Sequence, residues 1–301
     1  MRKIEYTVTE EYSSRPLLHF LKGHIHLSTR IVQTLRHTKD SVFVNGNFAR
    51  LVDKVNYGDN VTLYLPETTT PPQLCEIPLD IIYEDDDLLV INKPKGISVH
   101  PTYNHPNGTL CNGVAAYLKK NQSTPPVARA VGRLDKVTSG VMIFAKSAFI
   151  ASRLNGNLDK TYVALVHGET EKSGTINAPI YRPDSGKTLR AVGENGDEAI
   201  TVYETLGTRD SKSLLKIKTI TGRTHQIRVH CAYISHPLVG DEMYGGALTE
   251  SLTRAALHCI NVTITHPVTG NKMSFFAAIP EDIKKELEKS GFSVDKQSFF
   301  C

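Results

Sequence analysis

The sequence predicts an α+β fold in two parts, residues 1–65 and 74–301, with a linker over 66–73 between them. Three observations carry that reading. Short apolar runs joined by turn residues recur along the chain, the pattern of hairpin-connected strands. Apolar residues at helical spacing are confined to a few short stretches. Between the two parts, Pro66-Glu67-Thr68-Thr69-Thr70-Pro71-Pro72 shows proline and threonine without apolar periodicity, the texture of a linker.

The bulk properties bound the function. At 301 residues with 40% hydrophobic and 22% charged content, the chain can fill a real core in one large domain and one small one. A net charge of +4 is mildly basic and does not by itself point to nucleic acid. Five cysteines (Cys75, Cys111, Cys231, Cys259, Cys301) include no C-x-x-C pair. This argues against a zinc module and a disulfide framework, and makes a reducing cytoplasm the expected compartment. The start has no apolar core of a signal peptide and no stretch approaches a membrane span, so no membrane partner is expected. A monomer is the default oligomeric state.

Residues 1–11 read as an extended lead-in. Leu17, Leu18 and Leu21 space as one helix, and Ile31, Val32 and Leu35 as a second with Ser28 or Thr29 as its N-cap. Val42-Phe43-Val44 then meets Asn45-Gly46, a hairpin turn pair, and the part closes on the strand Val61-Thr62-Leu63-Tyr64-Leu65. Here Arg15, Lys22, Arg30, Arg36, Lys39, Arg50 and Lys54 face only Asp40, Asp53 and Asp59. Such an excess suits contact with phosphates. A solvated helix face is the plainer reading of the same charges.

In the second part, Ile81-Ile82-Tyr83 and Leu88-Leu89-Val90-Ile91 read as strands joined by Glu84-Asp85-Asp86-Asp87. Adjacent side chains in a turn diverge, so this reads as a solvated turn and not a metal site. Asn92-Lys93-Pro94-Lys95-Gly96 and Val99-His100-Pro101 lead to a helix through Leu110, Val114, Tyr117 and Leu118. The centre of the chain is Gly132-Arg133-Leu134-Asp135-Lys136-Val137-Thr138-Ser139-Gly140, entering the buried strand Val141-Met142-Ile143-Phe144-Ala145. In an extended segment Arg133 and Asp135 share one face while Leu134 packs behind them. An isolated R-x-D is ordinarily a surface ion pair in a turn.

Lys160 to Gly168 reads as a half-buried strand, in which Tyr162 is by default a packing residue, and Leu214 to Ile220 as another strand. In Thr221-Gly222-Arg223-Thr224-His225-Gln226-Ile227-Arg228-Val229-His230, a helix capped by Thr224 is favoured over a strand, because Ile227, Cys231 and Ile234 recur at helical spacing. His225, His230, Cys231 and His236 fit no common zinc spacing, so no metal is expected. Strands continue from Leu257 to Pro280 around a His266–Gly270 hairpin turn. A last helix runs from Pro280 through Ile283 and Leu287 to Ser290-Gly291.

Four of these segments together resemble the RluA-type pseudouridine synthases. GRLDKVTSG resembles their HRLD-x-x-TSG signature, with Gly132 standing where many members carry His. NKPKG…HP resembles NKPxG…HP, KTYVA resembles K-x-Y-x-A, and GRTHQIRVH…HPLVGDEMYG matches the family's closing motif. More loosely, residues 12–65 resemble the S4 RNA-binding domain, whose serine-arginine pair is only approximated by Ser28-Thr29-Arg30.

The resemblance implies a pseudouridine synthase fold, a mixed and largely antiparallel sheet with flanking helices, preceded by an S4-like domain. It implies that Asp135 is the catalytic residue, that Arg228 pairs with it, and that Tyr162 lies in the uracil pocket. Arg133 would occupy the space an everted base leaves, and Lys93, His100, Arg223, Arg30, Lys22 and Arg36 would bind RNA. The partner implied is structured RNA, with large-subunit ribosomal RNA ahead of tRNA. The reaction is an isomerisation that requires no cofactor, in agreement with the lack of a Gly-rich nucleotide loop. Two rivals are a non-catalytic RNA-binding or ribosome-assembly factor, which the acid, arginine and tyrosine argue against, and a glycoside hydrolase, which needs a second positioned acid.

Overall fold

A computed structural model describes residues 2–65, 72–102, 106–121, 127 and 129–293. The expected linker lies mostly outside the described residues. In the first part, β1 (Arg2–Thr7) precedes β2 (Arg15–Pro16), α1 (Leu17–Gly23) and α2 (Thr29–His37). There follow β3 (Val42–Val44), β4 (Asn47–Phe48), β5 (Lys54–Val55) and β6 (Asn60–Leu65). The lead-in is thus a strand: β1 pairs antiparallel with β6 along its whole length, in a four-stranded sheet ordered β1-β6-β3-β4. Ser28 Oγ accepts the Ile31 amide and caps α2. Asn45 (φ 51°) and Gly46 (φ 79°) supply the left-handed pair that the β3–β4 hairpin requires.

The second part opens with β7 (Ile81–Glu84), β8 (Leu88–Lys93), α3 (Leu110–Asn121), β9 (Arg129–Val131), β10 (Ser139–Ala145), α4 (Ala148–Leu154) and β11 (Asp159–His167). It continues through β12 (Ser173–Asn177), β13 (Ile180–Tyr181), β14 (Ala191–Val192), β15 (Ile200–Arg209), β16 (Lys212–Thr219) and α5 (Gln226–Tyr233). It ends with β17 (Leu257–Thr265), β18 (Lys272–Phe276) and α6 (Glu281–Lys289). Ten of these strands form one sheet, with the path β12-β15-β16-β11-β17-β10-β8-β7. β18 adds to β17 and β9 to β10.

The sheet is antiparallel except at one seam, where β10 runs parallel to β17 through Ser139↔His258 and Gly140↔Cys259. Gly140 makes that seam possible: a Cβ there would collide with the Cys259 carbonyl, and its φ is +119°. The loop carrying Asp135 enters the sheet at this point.

Three expectations change on contact with the structure. The strand from Lys160 is buried on both faces from Thr161 to Val166: Val163 and Leu165 join a cluster with Ile283 and Leu287 of α6, and Tyr162, Ala164 and Val166 join the main core with Ile227 and Cys231 of α5. The turn at Glu84–Asp87 is solvated only in part: Asp86 is exposed, but its neighbours are engaged. Asp85 accepts the Tyr83 hydroxyl at 2.7 Å and the Asp87 and Leu88 amides, and Asp87 is buried. His266 arrives from far along the chain to donate its Nε2–H to Asp85 at 3.1 Å, since its Nδ1 accepts the Val268 and Thr269 amides. With both nitrogens used, this group is a satisfied structural cluster. Finally, Thr224 does not cap α5; the cap position falls on His225, in left-handed conformation.

A buried network supports the seam. His258 Nε2–H donates to Ala277 O at 3.2 Å and Nδ1 accepts the Ser139 hydroxyl at 2.9 Å. Ser139 Oγ in turn accepts from Arg254 Nη2 at 3.2 Å, which leaves its own proton for Nδ1 of a neutral imidazole. Burial pushes the His258 pKa down from 6.5 to about 4. The unfolded chain therefore takes up this proton at a higher pH than the folded one. The stability is complete above about pH 6.5 and is lost as pH falls toward 4, by an amount on the order of 3 kcal/mol. Urea unfolding from pH 4 to 7 should show that slope in the wild type and a shallower one in His258→Gln.

Candidate active site

Asp135 sits in the irregular segment between β9 and β10, where Leu134 is buried and anchors the chain from behind. The Thr138 amide closes a turn onto the Asp135 carbonyl at 3.1 Å. Two buried cations grip the rest of the loop. Lys93 Nζ donates to Thr138 O at 2.7 Å, Pro94 O at 2.9 Å and Lys136 O at 3.4 Å. Arg254 Nη1 donates to Val137 O at 3.0 Å, while its Nε and Nη2 hold Asp282 at 2.8 and 3.0 Å.

Lys93, expected to face RNA, is fully buried, and its ammonium is spent on three carbonyls of the protein. Burial, reinforced by the Arg254 charge and opposed by Asp135, lowers its pKa to about 7.

The Asp135 carboxylate, with its side chain 14% exposed, opens onto a cavity of about 590 Å³. That is the size of a site that encloses a nucleoside-scale ligand. Arg133, His100, Tyr162, Arg223 and Arg228 all line it. Lys22, Arg30 and Arg36 do not. They are exposed on α1 and α2.

Arg133 is exposed at the rim, where its Nη1 donates to Thr224 Oγ1 at 3.2 Å. Arg223 is partly engaged already, donating to Glu198 O at 2.9 Å and facing Asp197 at 3.5 Å. Gly132 takes a φ of +72°, and a Cβ there would meet Lys160 Nζ at 2.9 Å. Lys160 thus fills the space beside this glycine.

Arg228 faces Asp135 as expected, but its closer partner is Asp241. Its planar fork is bidentate to Asp241, with Nε–Oδ2 at 2.7 Å and Nη2–Oδ1 at 2.6 Å. Its remaining nitrogen, Nη1, lies 3.8 Å from Asp135 Oδ2, an ion pair without a close hydrogen bond. Asp241, two percent exposed, occupies the Nε/Nη2 edge of the guanidinium. Tyr244 covers the guanidinium plane, its ring centre 4.9 Å from Cζ. Burial works against the Arg228 charge, but the hydrogen bonds and charge of Asp241, with Asp135 adding to them, raise its pKa above the ordinary value. The GD-x-x-YG motif contains both Asp241 and Tyr244; a carboxylate thirteen residues after an arginine gives no local sign that the two will meet.

Tyr162 lies on β11 where the pairing with β17 shifts register between Thr161 and Tyr162, an irregularity that re-aims a side chain out of the ladder. It lines the cavity and is buried. Burial, with Cys259 and Asp135 adding to it, holds the phenol well above its ordinary pKa, so it stays protonated at neutral pH. His225, weighed in the sequence only as a metal ligand, also faces the carboxylate: Nε2 is 4.0 Å from Asp135 Oδ2. Its neighbours His230 and His236 are satisfied by Thr201, Ala178 and His167.

A carboxylate, a fixed guanidinium and a buried tyrosine thus meet at one cavity beside the parallel seam of the sheet. Residues 87–233 match the family model of RNA pseudouridylate synthase. Over 298 residues the chain is 37% identical to the uncharacterized RNA pseudouridine synthase YlyB of Bacillus subtilis (strain 168), covering 96% of this chain and 98% of that one. It is also 37% identical over 254 residues to the ribosomal large subunit pseudouridine synthase D of Haemophilus influenzae, covering 78% of each. The human RNA Pseudouridylate Synthase Domain Containing 4 shares the fold, with a TM-score of 0.58 at 24% identity over 70% of this chain and 93% of that one. The chain belongs to the RNA pseudouridine synthase family, in its RluA-type branch, and is an isomerase that acts on RNA. No described helix is long and apolar enough to cross a membrane.

Asp241→Asn should expose the dependence of the site on the fork. Removing one charge from this buried pair leaves Arg228 uncompensated and free to swing onto Asp135. The expected result is a stability loss of about 3 kcal/mol in urea unfolding, together with a fall in turnover larger than the fall in RNA affinity.

Proposed function

We propose that Asp135 is the catalytic carboxylate of this enzyme, acting on a uridine everted into the cavity, and that its target is large-subunit ribosomal RNA. The observation that carries the first part is geometric. Asp135 is the carboxylate that opens onto the cavity, and Arg228, immobilised by Asp241, keeps a positive charge 3.8 Å from it.

In the overall reaction the N1–C1′ bond breaks, C1′ bonds to C5, the C5 proton leaves and N1 gains a proton. An ionised oxygen beside the sugar can attack or stabilise the centre left by N1. Tyr162, protonated and buried, offers the uracil a ring face and a hydroxyl donor; its high pKa makes it a poor base for the C5 proton. Arg133 at the rim grips the strand or fills the vacated stack. His100 and Arg223 line the cavity where the RNA strand enters.

The N-terminal part supports the choice of target. We assign residues 1–65 as an S4-like RNA-binding domain, 66–73 as the linker and 74–301 as the catalytic domain. Lys22, Arg30 and Arg36 on α1 and α2 then hold phosphates away from the reacting base. A ribosomal substrate is further supported by the similarity to a ribosomal large subunit pseudouridine synthase; tRNA is the second choice.

Tritium release from 5-tritiated uridine in ribosomal RNA tests the catalytic assignment. Asp135→Asn should lower it by at least ~1,000-fold with RNA binding retained, and full turnover in that variant excludes the role. Tyr162→Phe keeps the ring face and should retain most of the turnover. Mapping pseudouridines in total RNA from a strain lacking the gene identifies the target: a uridine left unmodified in large-subunit ribosomal RNA is expected, and one in tRNA alone moves the assignment there.

A further inference from the structure

His225 stands out among the residues around Asp135 because its backbone is left-handed, with φ 58° and ψ 17°. Of the described non-glycine residues with positive φ, it is the one that lines the cavity. Such a conformation is strained and persists where surrounding contacts hold it. Capping does not explain it, since the His225 side chain makes no cap hydrogen bond to α5.

What fixes the imidazole is Tyr244. His225 Nδ1 lies 2.7 Å from the Tyr244 hydroxyl, and the two rings meet edge to face with centres 5.7 Å apart. The Tyr244 oxygen already accepts the Arg190 amide N–H at 3.0 Å. Among the described residues, the partner that remains for its own proton is Nδ1. Nδ1 is therefore an acceptor, and the neutral ring carries its hydrogen on Nε2, the nitrogen 4.0 Å from Asp135 Oδ2.

Resting on the reading of Asp135 as the reacting carboxylate, we propose that His225 is a positioning residue for it, locked by Tyr244 as the Nε2–H tautomer so that an N–H is aimed at Asp135 beside the Arg228 cation. The arrangement works only with a neutral ring. An imidazolium would set a second N–H against a hydroxyl that is itself donating, and its charge would draw the carboxylate into a closed ion pair, away from a bound uridine.

The groups facing the ring are Asp135 from the loop before β10, Arg228 on α5, Arg190 ahead of β14, and Asp241 and Tyr244 from the segment after α5. Burial, opposed by Asp135 and reinforced by Arg228 and Arg190, keeps the ring neutral at pH 7. Activity should then fall on the acid side as His225 takes up its proton.

The test is the pH profile of kcat/KM for tritium release by the full chain, with Asp135→Asn as the blank. His225→Phe, which has no N–H to offer, should lower kcat/KM by about 100-fold. His225→Gln restores a donor that does not titrate; it should recover about 10-fold of that loss and move the acid limb to lower pH. Tyr244→Phe removes the hydroxyl that favours the neutral ring, so its acid limb should move to higher pH. Thermal melting and RNA retention on filters separate lost positioning from lost fold.

Wild-type acid limbs in both His225→Gln and Tyr244→Phe, beside an inert Asp135→Asn, overturn the role of His225 alone. Undiminished turnover in Asp135→Asn overturns the reading of Asp135 and this proposal with it.

Discussion

The bidentate bond between Arg228 and Asp241 is the constraint on which the site depends. A guanidinium that could reach Asp135 with its fork would neutralise that carboxylate by binding it closely. Asp241 holds the Nε/Nη2 edge at 2.6 and 2.7 Å and so fixes the guanidinium with Nη1 facing Asp135, at 3.8 Å. The electrostatic support survives at that distance in a partly buried site, while the oxygens remain free for a substrate. Tyr244 serves the same end from the other direction, covering the guanidinium with its ring and holding His225 with its hydroxyl.

The loop that presents Asp135 is equally constrained from below. Its carbonyls are received by Lys93 and Arg254, buried cations contributed by β8 and by the chain just ahead of β17. Arg254 is itself anchored by Asp282 at the start of α6, and Asp282 also binds Lys95 at 2.8 Å. The Asp282 carboxyl is held well below its usual range: burial works against the charge, but the hydrogen bonds from Arg254 and Lys95 outweigh it. Backbone carbonyls in an irregular segment need donors, and here charged side chains supply them. The C-terminal helix is thereby tied to a turn nearly 150 residues earlier in the chain.

Much of this was legible in the sequence, and the reasons for the rest are physical. The helices α1, α2, α3 and α6, the Asn45-Gly46 hairpin and the strands on either side of Asp135 follow from periodicity and turn chemistry, which are local. Asp135 and Tyr162 stood out through the motifs around them. What could not be read were pairings set by tertiary contact. Arg228 and Asp241 meet because α5 and the segment after it fold back on each other. Lys93 looked like a surface cation in a polar motif, yet the Lys136 and Thr138 carbonyls of the Asp135 loop, with that of Pro94 beside it, draw it inside. Asp85 and His266 are 181 residues apart, so the acidic turn looked solvated. His225 looked like an imperfect metal ligand because a left-handed backbone is not signalled by a histidine.

The most direct measurement of the central claim is a crystal structure of the chain with an RNA carrying the target uridine. The uridine is expected everted into the cavity with its ribose about 3 Å from an Asp135 oxygen, and Arg228 still forked to Asp241. A structure in which Arg228 has left Asp241 to bind Asp135 with its fork, or in which Asp135 points away from the nucleotide, would contradict it.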